Sequence, residues 1–291
     1  MLRLALFLFW LLHWLPMPVL ARLGDVLGRL AYWVARDRRS VTLTNLRLCF
    51  PQWTQAQRNA LALAHFQAFM TGILGQGIAW YAPVARLRRV LVREGEEHLR
   101  AALREGPVIL MTPHFFGIDS AGSFLGADFD LITINSRQKN AAFGDAMQRR
   151  RRRWHRGTIF MRQDGIRPVL RALKPGWGLY YMPDQDFGPR ESLFVDFFGV
   201  PAATSPALSR LARLARARVV PCVVHQDFRH SRICMTFYPP WTDFPGRNET
   251  EDAQRMNRFI EARVLEQPAN YLWSHRRFKT RPPGEASPYG R

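Results

Sequence analysis

From Pro107 onward, short apolar runs alternate with amphipathic stretches, and no other feature of the chain limits its fold so strongly. Strands that alternate with helices along a chain pair in parallel and carry helices on both faces of the sheet. We therefore predict an α/β fold with a mainly parallel central sheet flanked by helices. The predicted strands are 107–112, 129–134, 157–160, 177–182, 218–224 and 231–238, and the predicted helices are 118–125, 140–154, 165–173, 205–216 and 250–266.

The residues before this alternation have the spacing of helices, and Thr54 suits the N-cap of one of them. The predicted helices in this part are 22–36, 54–80 and 95–104. No internal repeat or low-complexity linker divides the chain. The predicted organisation is a membrane anchor at 1–21 and one domain at 22–291, made of a helical lead-in (22–105) and an α/β core (106–291).

The N-terminal stretch from Leu4 to Leu20 is apolar apart from His13 and contains Pro16 and Pro18 near its end. Its 17 residues approach the ~20 that a helix needs to cross a bilayer. The arginines that follow it place the rest of the chain on the cytoplasmic side. We therefore predict a single N-terminal membrane helix. Two alternatives remain open: a cleaved signal peptide, since the stretch closes on Val-Leu-Ala, and a helix that lies in the membrane interface.

Arginine dominates the charge of the chain. Lysine and arginine number 42 and aspartate and glutamate 23, so the net charge is +19, and lysine occurs only at Lys139, Lys174 and Lys279. Because guanidinium groups bind phosphate in a bidentate way and keep their charge, we expect anionic partners. These are a membrane surface, a phosphorylated substrate, an acidic carrier protein or nucleic acid. We predict no nucleic acid, because no recognised binding module accompanies the arginines.

Cysteine and histidine patterns indicate neither a zinc site nor a disulfide framework. Cys49, Cys222 and Cys234 are odd in number and form no C-x-x-C pair, and the eight histidines form no H-E-x-x-H sequence. A reducing compartment fits this pattern. We predict no metal and no cofactor.

A histidine and an aspartate follow the predicted strand 107–112. His114 comes after Pro113 at the carboxyl end of the strand, and Asp119 lies five residues later. Ligands of parallel sheets bind at this edge. Gly117 allows a bend that would bring the two side chains together. We expect Asp119 to hold the imidazole tautomer while the other ring nitrogen takes a proton.

So short a pattern more often marks two residues that cap a helix start independently, but its place at a ligand-binding edge favours chemistry. Ser120, the first serine after it, lacks the G-x-S-x-G spacing of a nucleophile elbow. Direct attack by a substrate hydroxyl on a thioester, with His114 as the base, needs no protein nucleophile.

Two further polar segments suit substrate binding. Arginines occupy every position of 149–153, so one or two of them must face the body of the domain, where they could clamp a phosphate or an oxyanion. Asp184 and Asp186 follow the predicted strand 177–182 and could bind Mg²⁺ or orient those arginines, the weak metal signal favouring the second role. The aromatic side chains of 194–198 would line an acyl groove or pack in the core.

Four segments carry a family resemblance. They are Asn45-Leu-Arg-Leu-Cys-Phe-Pro51, Met182-Pro-Asp-Gln-Asp-Phe-Gly-Pro189, Phe197-Phe-Gly-Val-Pro-Ala-Ala-Thr204 and Tyr271-Leu-Trp-Ser-His-Arg-Arg-Phe-Lys-Thr-Arg-Pro282. They resemble the late acyltransferases of lipid A biosynthesis, of the lauroyl and myristoyl type, over almost the whole chain. The resemblance implies an inner-membrane anchor, a cytoplasmic-facing catalytic domain similar in fold to glycerol-phosphate acyltransferases, an acyl-carrier-protein thioester donor and a phosphorylated, hydroxyacylated glucosamine disaccharide acceptor.

The resemblance also implies roles for single residues. The family's H-x-x-x-x-D/E motif falls on His114 as the base and Asp119 as its carboxylate. Its arginine after the variable helix matches Arg152, and the first acid of its P-D-x-D block matches Asp184. Many bacterial relatives carry Glu where this chain has Asp119. The family's Tyr-Arg-Pro segment is replaced by Asn-Ser-Arg-Gln, so only Arg137 carries over.

We therefore predict an enzyme that transfers a fatty acyl chain from an acyl-carrier-protein thioester to a hydroxyl of a lipid A precursor. The predicted catalytic residues are His114 and Asp119, and the predicted substrate-binding residues are Arg137, Arg152 and Asp184. Two other interpretations stay open: an acyltransferase for another membrane lipid, either a glycerolipid or a glycan-lipid, and a non-catalytic basic membrane-binding module. The second would bind with steep salt dependence and would tolerate substitution of His114.

Overall fold

Nine strands lie within residues 2–136, 140–153 and 156–290, which the computed structural model describes. They are β1 (Leu91–Glu94), β2 (Val108–Met111), β3 (Leu131–Asn135), β4 (Thr158–Met161), β5 (Gly178–Tyr181), β6 (Leu193–Phe197), β7 (Val200–Thr204), β8 (Arg218–Asp227) and β9 (Arg232–Phe237). Seven of them form one sheet in the order β1-β9-β8-β2-β5-β3-β4, in which only β8 and β9 are antiparallel. The prediction of an α/β fold with a mainly parallel sheet is confirmed.

The helices are α1 (Leu2–Leu12), α2 (Met17–Val34), α3 (Arg36–Cys49), α4 (Gln55–Tyr81), α5 (Val84–Val90), α6 (Glu96–Glu105), α7 (Ile118–Asp128), α8 (Ala141–Arg151), α9 (Arg167–Ala172), α10 (Ala207–Ala215) and α11 (Glu249–Glu266). Thr54 is the predicted N-cap of α4, because its hydroxyl accepts a hydrogen bond from the amide of Gln57 while the Gln57 side chain accepts one from the amide of Thr54.

Strand β2 is the centre of the fold. All four of its residues are buried, and it pairs with β5 on one side and β8 on the other. Since successive side chains point to opposite faces, Val108 and Leu110 pack into one hydrophobic core while Ile109 and Met111 pack into a second. A strand covered on both faces reads as a continuous apolar run, which is how this strand could be predicted from the sequence.

Helices α3 and α5, strand β1 and the β6–β7 hairpin were not predicted. Strand β1 lies within the predicted helical lead-in, yet it pairs in parallel with β9 at one edge of the sheet. The predicted division into a lead-in (22–105) and an α/β core (106–291) stays a prediction. Strands β6 and β7 form a separate antiparallel hairpin whose two-residue turn, Phe198 and Gly199, has positive φ at both positions. Phe197 on β6 is 1% exposed, in keeping with the core role given to the aromatic side chains of 194–198.

The predicted N-terminal membrane helix is wrong, and with it the single anchor in the inner membrane. The prolines explain the failure, because Pro16 and Pro18 lack the N–H groups that would continue α1 into α2. Helix α1 therefore has 11 residues, about 16 Å of rise, against a hydrocarbon core of about 30 Å. Among the residues described, no helix combines the length and the apolar character that a membrane crossing requires.

Helices α1 and α2 instead pack on α4. The ring of Phe9 meets Trp80 edge-on, and a Cβ added at Gly77 would lie 2.4 Å from the carbonyl oxygen of Phe9. The outward faces of both helices stay apolar and exposed. Their exposed side chains are Leu4, Phe7, Leu8, Trp10, Leu11, Val19, Leu23, Val26, Leu30, Trp33 and Val34, with Trp14 between the helices; we call this set the α1–α2 apolar face.

Candidate functional site

His114 stands at the carboxyl end of β2, where the sequence placed it. The C-terminal part of the chain fixes its backbone, since the amide of Leu272 donates to the carbonyl of His114 at 3.0 Å and the amide of Phe116 donates to the carbonyl of Asn270 at 2.8 Å. Gly117 then takes φ of 94° and starts α7, so the bend expected there is present. The imidazole is thus carried by a turn that one distant segment of the chain holds through two backbone hydrogen bonds.

The carboxylate that touches the imidazole is Asp184. Its Oδ1 lies 2.6 Å from Nδ1 of His114, and its Oδ2 accepts a hydrogen bond of 2.9 Å from the backbone N–H of the same residue. Asp184 reaches this position because it follows β5, whose last residue, Tyr181, pairs with Met111 at the end of β2. Neighbouring parallel strands therefore bring His114 and Asp184 to one edge of the sheet.

Burial shapes the charge of this pair. It would raise the pKa of Asp184, which is 2% exposed, but the charge and the two hydrogen bonds of His114, helped by Arg277, outweigh burial and lower that pKa. Asp184 is therefore a carboxylate at neutral pH. With Nδ1–H donating to it, Nε2 of His114 is the acceptor nitrogen, and it lies 3.1 Å from the side-chain nitrogen of Gln185.

The carboxylate of Asp119 contacts a side chain other than the imidazole. Asp119 sits in the first turn of α7, where its Oδ1 lies 2.5 Å from a guanidinium nitrogen of Arg151 at the end of α8. Five residues after His114, Asp119 lies in α7 with its carboxylate directed toward α8, whereas the carboxylate of Asp184 lies beside the imidazole. The expected contact between His114 and Asp119 is thus replaced by two separate pairs, His114 with Asp184 and Asp119 with Arg151.

His114 of the first pair and both members of the second pair border one cavity of about 350 Å³. Its polar lining includes His114, Asp119, Ser123, Asn135 and Arg151, and its apolar lining includes Ile118, Ile159, Tyr180 and Met182. Tyr180 is buried, and its hydroxyl donates to the carbonyl of Ile118 at 2.9 Å, so it forms a fixed wall. Such a cavity suits a molecule with one apolar part and one polar or anionic part.

The arginine run divides between this cavity and its surroundings. Arg151 faces the cavity, while Arg150 donates to the hydroxyl of Tyr81 at 2.9 Å and Arg153 donates to the carbonyl of Trp80 at 2.9 Å. Arg149 and Arg152 line a second cavity of about 570 Å³ on the α8 side. Ile159 borders both cavities, so the two are neighbours. Arg137, predicted to bind substrate, lies outside the described residues.

Asp186 supports the loop that carries Asp184. It is buried, and its carboxylate accepts hydrogen bonds from the backbone N–H and the hydroxyl of Thr280, at 2.8 and 2.9 Å, and from the amide of Gly188 at 2.9 Å. The backbone N–H of Asp186 in turn donates to Nε2 of His275 at 3.2 Å. The oxygens of Asp186 are therefore committed to donors of the protein itself.

Three residues of the site were not predicted: Tyr271, His275 and Arg277. Tyr271 and Asp184 line one small cavity beside His114, and Arg277 is 3% exposed and donates to the carbonyl of Ala203 at 2.7 Å. Burial lowers the pKa of His275 to about 4, so this imidazole is neutral and accepts the bond from Asp186. The segment 271–282 contains all three, and its family resemblance was the one signal that marked it.

The chain matches known proteins along most of its length. The family model described as "Bacterial lipid A biosynthesis acyltransferase" matches residues 2–280. In Escherichia coli (strain K12), the lipid A biosynthesis myristoyltransferase is 34% identical over 281 residues, 94% of this chain and 84% of that protein. The lauroyltransferase of the same organism is 33% identical over 283 residues, covering 96% and 92%.

Among solved structures, a 1-acyl-sn-glycerophosphate acyltransferase from Thermotoga maritima aligns with 86% of this chain and 96% of its own, with a TM-score of 0.39 and 13% identity. That likeness is too weak to bear on fold or activity. The match of 2–280 and the two Escherichia coli enzymes, together with a histidine held by a buried carboxylate at a cavity edge, lead to one assignment. The chain belongs to the bacterial lipid A biosynthesis acyltransferases, and it is an acyltransferase that acts in lipid A biosynthesis.

Proposed function

We propose that His114 is the general base with which this enzyme moves a fatty acyl chain from an acyl-carrier-protein thioester to a hydroxyl of a lipid A precursor. The observation that carries the proposal is the pairing of His114 with Asp184. Because Nδ1 is held by a buried carboxylate, the lone pair of the ring is on Nε2, where the acceptor hydroxyl would replace the Gln185 amide as the donor. That ring nitrogen is the atom that takes the proton.

The reaction then needs no covalent enzyme intermediate. Nε2 removes the proton of the acceptor hydroxyl as its oxygen attacks the thioester carbonyl, and a carbon–oxygen bond forms. The tetrahedral oxyanion collapses, the carbon–sulfur bond breaks, and the imidazolium returns its proton to the leaving thiolate. Asp184 stabilises the imidazolium between the two proton transfers, which is the role of a buried carboxylate in the Ser-His-Asp triad.

Arg151 is the group that we assign to the developing negative charge. Its Nε is buried and has no hydrogen-bond partner among the described residues, so part of the guanidinium remains open for a ligand. Asp119 fixes the other side of the group at 2.5 Å. A fixed cation beside the base would stabilise the oxyanion without rearrangement during the reaction. In this proposal Asp119 acts through Arg151 and not through the imidazole.

The phosphates of the acceptor are assigned to the neighbouring cavity. Arg149 and Arg152 line it from successive turns of α8, and Arg137 belongs to the same acceptor contacts in the proposal. Guanidinium pairs bind phosphate in a bidentate way, and the border shared at Ile159 would let a phosphorylated sugar lie beside the base. An acidic carrier protein as donor suits the net charge of +19.

The α1–α2 apolar face is assigned to the bilayer surface. It exposes large side chains such as Trp14, at 65%, and Trp33, at 67%. Apolar patches of this kind, bordered by arginines such as Arg22 and Arg29, mark contact with lipid interfaces. Contact there would bring a lipid acceptor to the enzyme without removing it wholly from the membrane.

His114→Ala tests the proposal. The folded variant should lose at least about 10³-fold in acyl transfer from an acyl-carrier thioester to a lipid A precursor, because general-base catalysis contributes about 10²–10⁴-fold. Circular dichroism must show the wild-type fold. His98→Ala, a substitution of a histidine on α6 that no role here uses, is the matched control. Wild-type turnover by His114→Ala would refute the proposal that His114 is the general base. A labelled glycerolipid as the product would refute the proposal that the acceptor is a lipid A precursor.

A further inference from the structure

A polar cavity of about 230 Å³ lies between α2, α4 and the turn after β8. It shares no lining residue with the cavity at His114. Its polar lining is Asp25, Gln67, Thr71, Gln226, Asp227 and Asn270, with Arg229 at its border. Most of these groups offer oxygen acceptors, so the cavity has an excess of acceptors over donors. The reaction proposed above uses none of them.

Gln226 shows that a donor is missing. Its side chain is 8% exposed, and its Nε2 donates to the carbonyl of Ala68 at 2.5 Å. That bond fixes the orientation of the amide, because a flipped amide would set two oxygens against each other. The other amide atom, Oε1, is buried and has no hydrogen-bond partner within the described parts of the chain. A buried acceptor without a donor is unfavourable, and a ligand with N–H groups would relieve it.

Asn270 on the same wall supports this interpretation. Its Oδ1 is also buried, again without a hydrogen-bond partner in residues 2–136, 140–153 and 156–290. Two unpartnered amide oxygens in one cavity of this volume indicate a ligand with more than one donor. The cavity would also hold several waters, since one water occupies about 30 Å³ of liquid, and the experiment below separates water from a ligand.

Two carboxylates give the cavity its charge preference. Asp25 lies 2.5 Å from a guanidinium nitrogen of Arg229, and Asp227 lies 2.8 Å from Nδ1 of His230. Each carboxylate keeps further lone pairs, since a carboxylate accepts about four hydrogen bonds. Amide oxygens and carboxylates together favour a cation that donates several hydrogen bonds. A primary ammonium, with three N–H donors, meets this requirement, whereas a quaternary ammonium has none.

The position of the cavity indicates where the ammonium comes from. Asp25 and Ala21 are on α2, and the next turns of the same helix expose Val26 and Leu30 of the α1–α2 apolar face. We propose that this cavity binds the primary ammonium of an ethanolamine-type lipid headgroup. The proposal rests on the contact with the bilayer surface proposed above. Arg229 at the border would meet the phosphate of the same headgroup once Asp25 turns to the ammonium.

The cavity also adjoins the segment that carries the base. Asn270 accepts the hydrogen bond from the amide of Phe116, and a Cβ added at Gly117 would lie 3.6 Å from Cβ of Gln226. A bound headgroup would therefore stabilise the turn that follows His114. We expect acyl transfer to rise on membranes that supply this headgroup, with the change in KM for the lipid acceptor and not in the pH profile of turnover.

Vesicles of two compositions test the proposal with the full chain. Both contain the same fraction of an anionic lipid; the remainder is an ethanolamine phospholipid in one and the choline analogue with the same acyl chains in the other. We expect about tenfold tighter binding to the ethanolamine vesicles in flotation assays, which corresponds to one charge-assisted hydrogen bond. Phosphoethanolamine in solution should raise the melting temperature, and phosphocholine should leave it unchanged.

Gln226→Met and Asp25→Asn should each reduce the preference for ethanolamine to about twofold or less. Gln76→Met is the matched control, because Oε1 of Gln76 is likewise buried without a partner in the described residues but lies outside this cavity. Asp25→Asn keeps the test valid if Gln226→Met fails to fold. Equal binding of both vesicles by the wild type would overturn the proposal, as would an unchanged preference in both variants.

The two proposals fail in distinguishable ways. If phosphoethanolamine binds but neither vesicle does, the bilayer contact is wrong and the ligand is a soluble amine, which overturns the assignment to a lipid. If both vesicles bind equally while acyl transfer is intact, the headgroup site is wrong and the proposed function stands. If His114→Ala keeps wild-type turnover while the ethanolamine preference persists, the base is wrong and the headgroup site stands.

Discussion

Two charged pairs stand at the same edge of the sheet and are built in different ways. The side chain of Asp184 is 1% exposed, and its carboxylate is held by the ring and the backbone N–H of His114. The side chain of Asp119 is 31% exposed and its cavity contact is the single guanidinium of Arg151. The carboxylate of the first pair is shielded from solvent, whereas the second pair is open to a ligand that enters the cavity. A shielded carboxylate suits the support of a proton acceptor, and an accessible, fixed guanidinium suits the charge of a ligand.

Asp184→Asn should have the largest effect. The amide cannot stabilise an imidazolium and would favour the wrong tautomer of His114, so we expect a loss of about 10³–10⁴-fold in turnover. Steady-state rates with an acyl-carrier thioester measure it, and the melting temperature controls for stability. A loss greater in Asp119→Asn than in Asp184→Asn would reverse the comparison and restore Asp119 as the partner of the imidazole.

Two histidines should govern stability at low pH: His275, which accepts from the amide of Asp186, and the buried His65, whose Nδ1 lies 2.9 Å from the carbonyl oxygen of Tyr271. Burial lowers the pKa of His65 and of His275 to about 4, from 6.5. Between these values the unfolded chain binds protons that the folded chain excludes, so the free energy of unfolding decreases as pH falls from 6.5 to 4. We expect a loss of about 3 kcal/mol for each histidine over this window, measured by urea unfolding.

His275→Gln should remove about half of that dependence on pH, because Gln can still accept from the amide of Asp186 but does not titrate. Gln76→Met, which removes no titratable group, is the comparison variant, and we expect its unfolding to keep the wild-type pH dependence. If His275→Gln leaves the slope between pH 6.5 and 4 as steep as in the wild type, the neutral buried imidazole is not its source.

Asp119→Asn should lower turnover by about 10–100-fold, less than Asp184→Asn, because it weakens the hold on Arg151 and leaves the contact between His114 and Asp184 intact. Asp119→Glu should recover most of the loss, since the longer carboxylate still reaches the guanidinium. The pH profile of kcat/KM is the deciding measurement. We expect an unchanged profile in Asp119→Asn, and a shifted apparent pKa of the base would contradict a role through Arg151.

The smallest effects are expected from lysine substitutions of Arg151 and Arg152, and these should differ between the two positions. Arg151→Lys should lower turnover about tenfold, because a lysine loses the fixed fork beside Asp119. Arg152→Lys should raise KM for the phosphorylated acceptor by only a few-fold, since a lysine still attracts phosphate. Initial rates across acceptor concentrations distinguish kcat from KM. Equal effects on kcat in both variants would remove the distinction between the two cavities.

Much of the fold was accessible from the sequence because it rests on local patterns. The apolar run 108–111, the turn chemistry around Gly117 and the cap at Thr54 each act over a few residues, and each was found. Strand β1 was missed because a four-residue edge strand next to arginines carries almost no periodic signal. The N-terminal stretch was wrongly predicted as one membrane helix because its mean hydropathy does not show that Pro16 and Pro18 divide it into two helices.

The site was harder to predict because it depends on strand order. Whether β3 or β5 lies beside β2 decides which acid reaches His114, and no local pattern states that order. The sequence therefore offered the near neighbour, Asp119, in place of Asp184, seventy residues away. A run of arginines does not show which of its members faces the cavity at His114, because successive helical residues point about 100° apart; the structure places Arg151 there and Arg152 at the neighbouring cavity.

The dependence of Asp184 and Asp186 on the last part of the chain has a consequence for biosynthesis. Thr280, which binds Asp186, lies 94 positions after it, and Leu272, which holds His114, comes only slightly earlier. The ribosome synthesises strands β1 to β9 before it reaches Leu272 and Thr280. In the proposed mechanism, translation that stopped before Leu272 would therefore leave His114 without the backbone hydrogen bond that holds its turn.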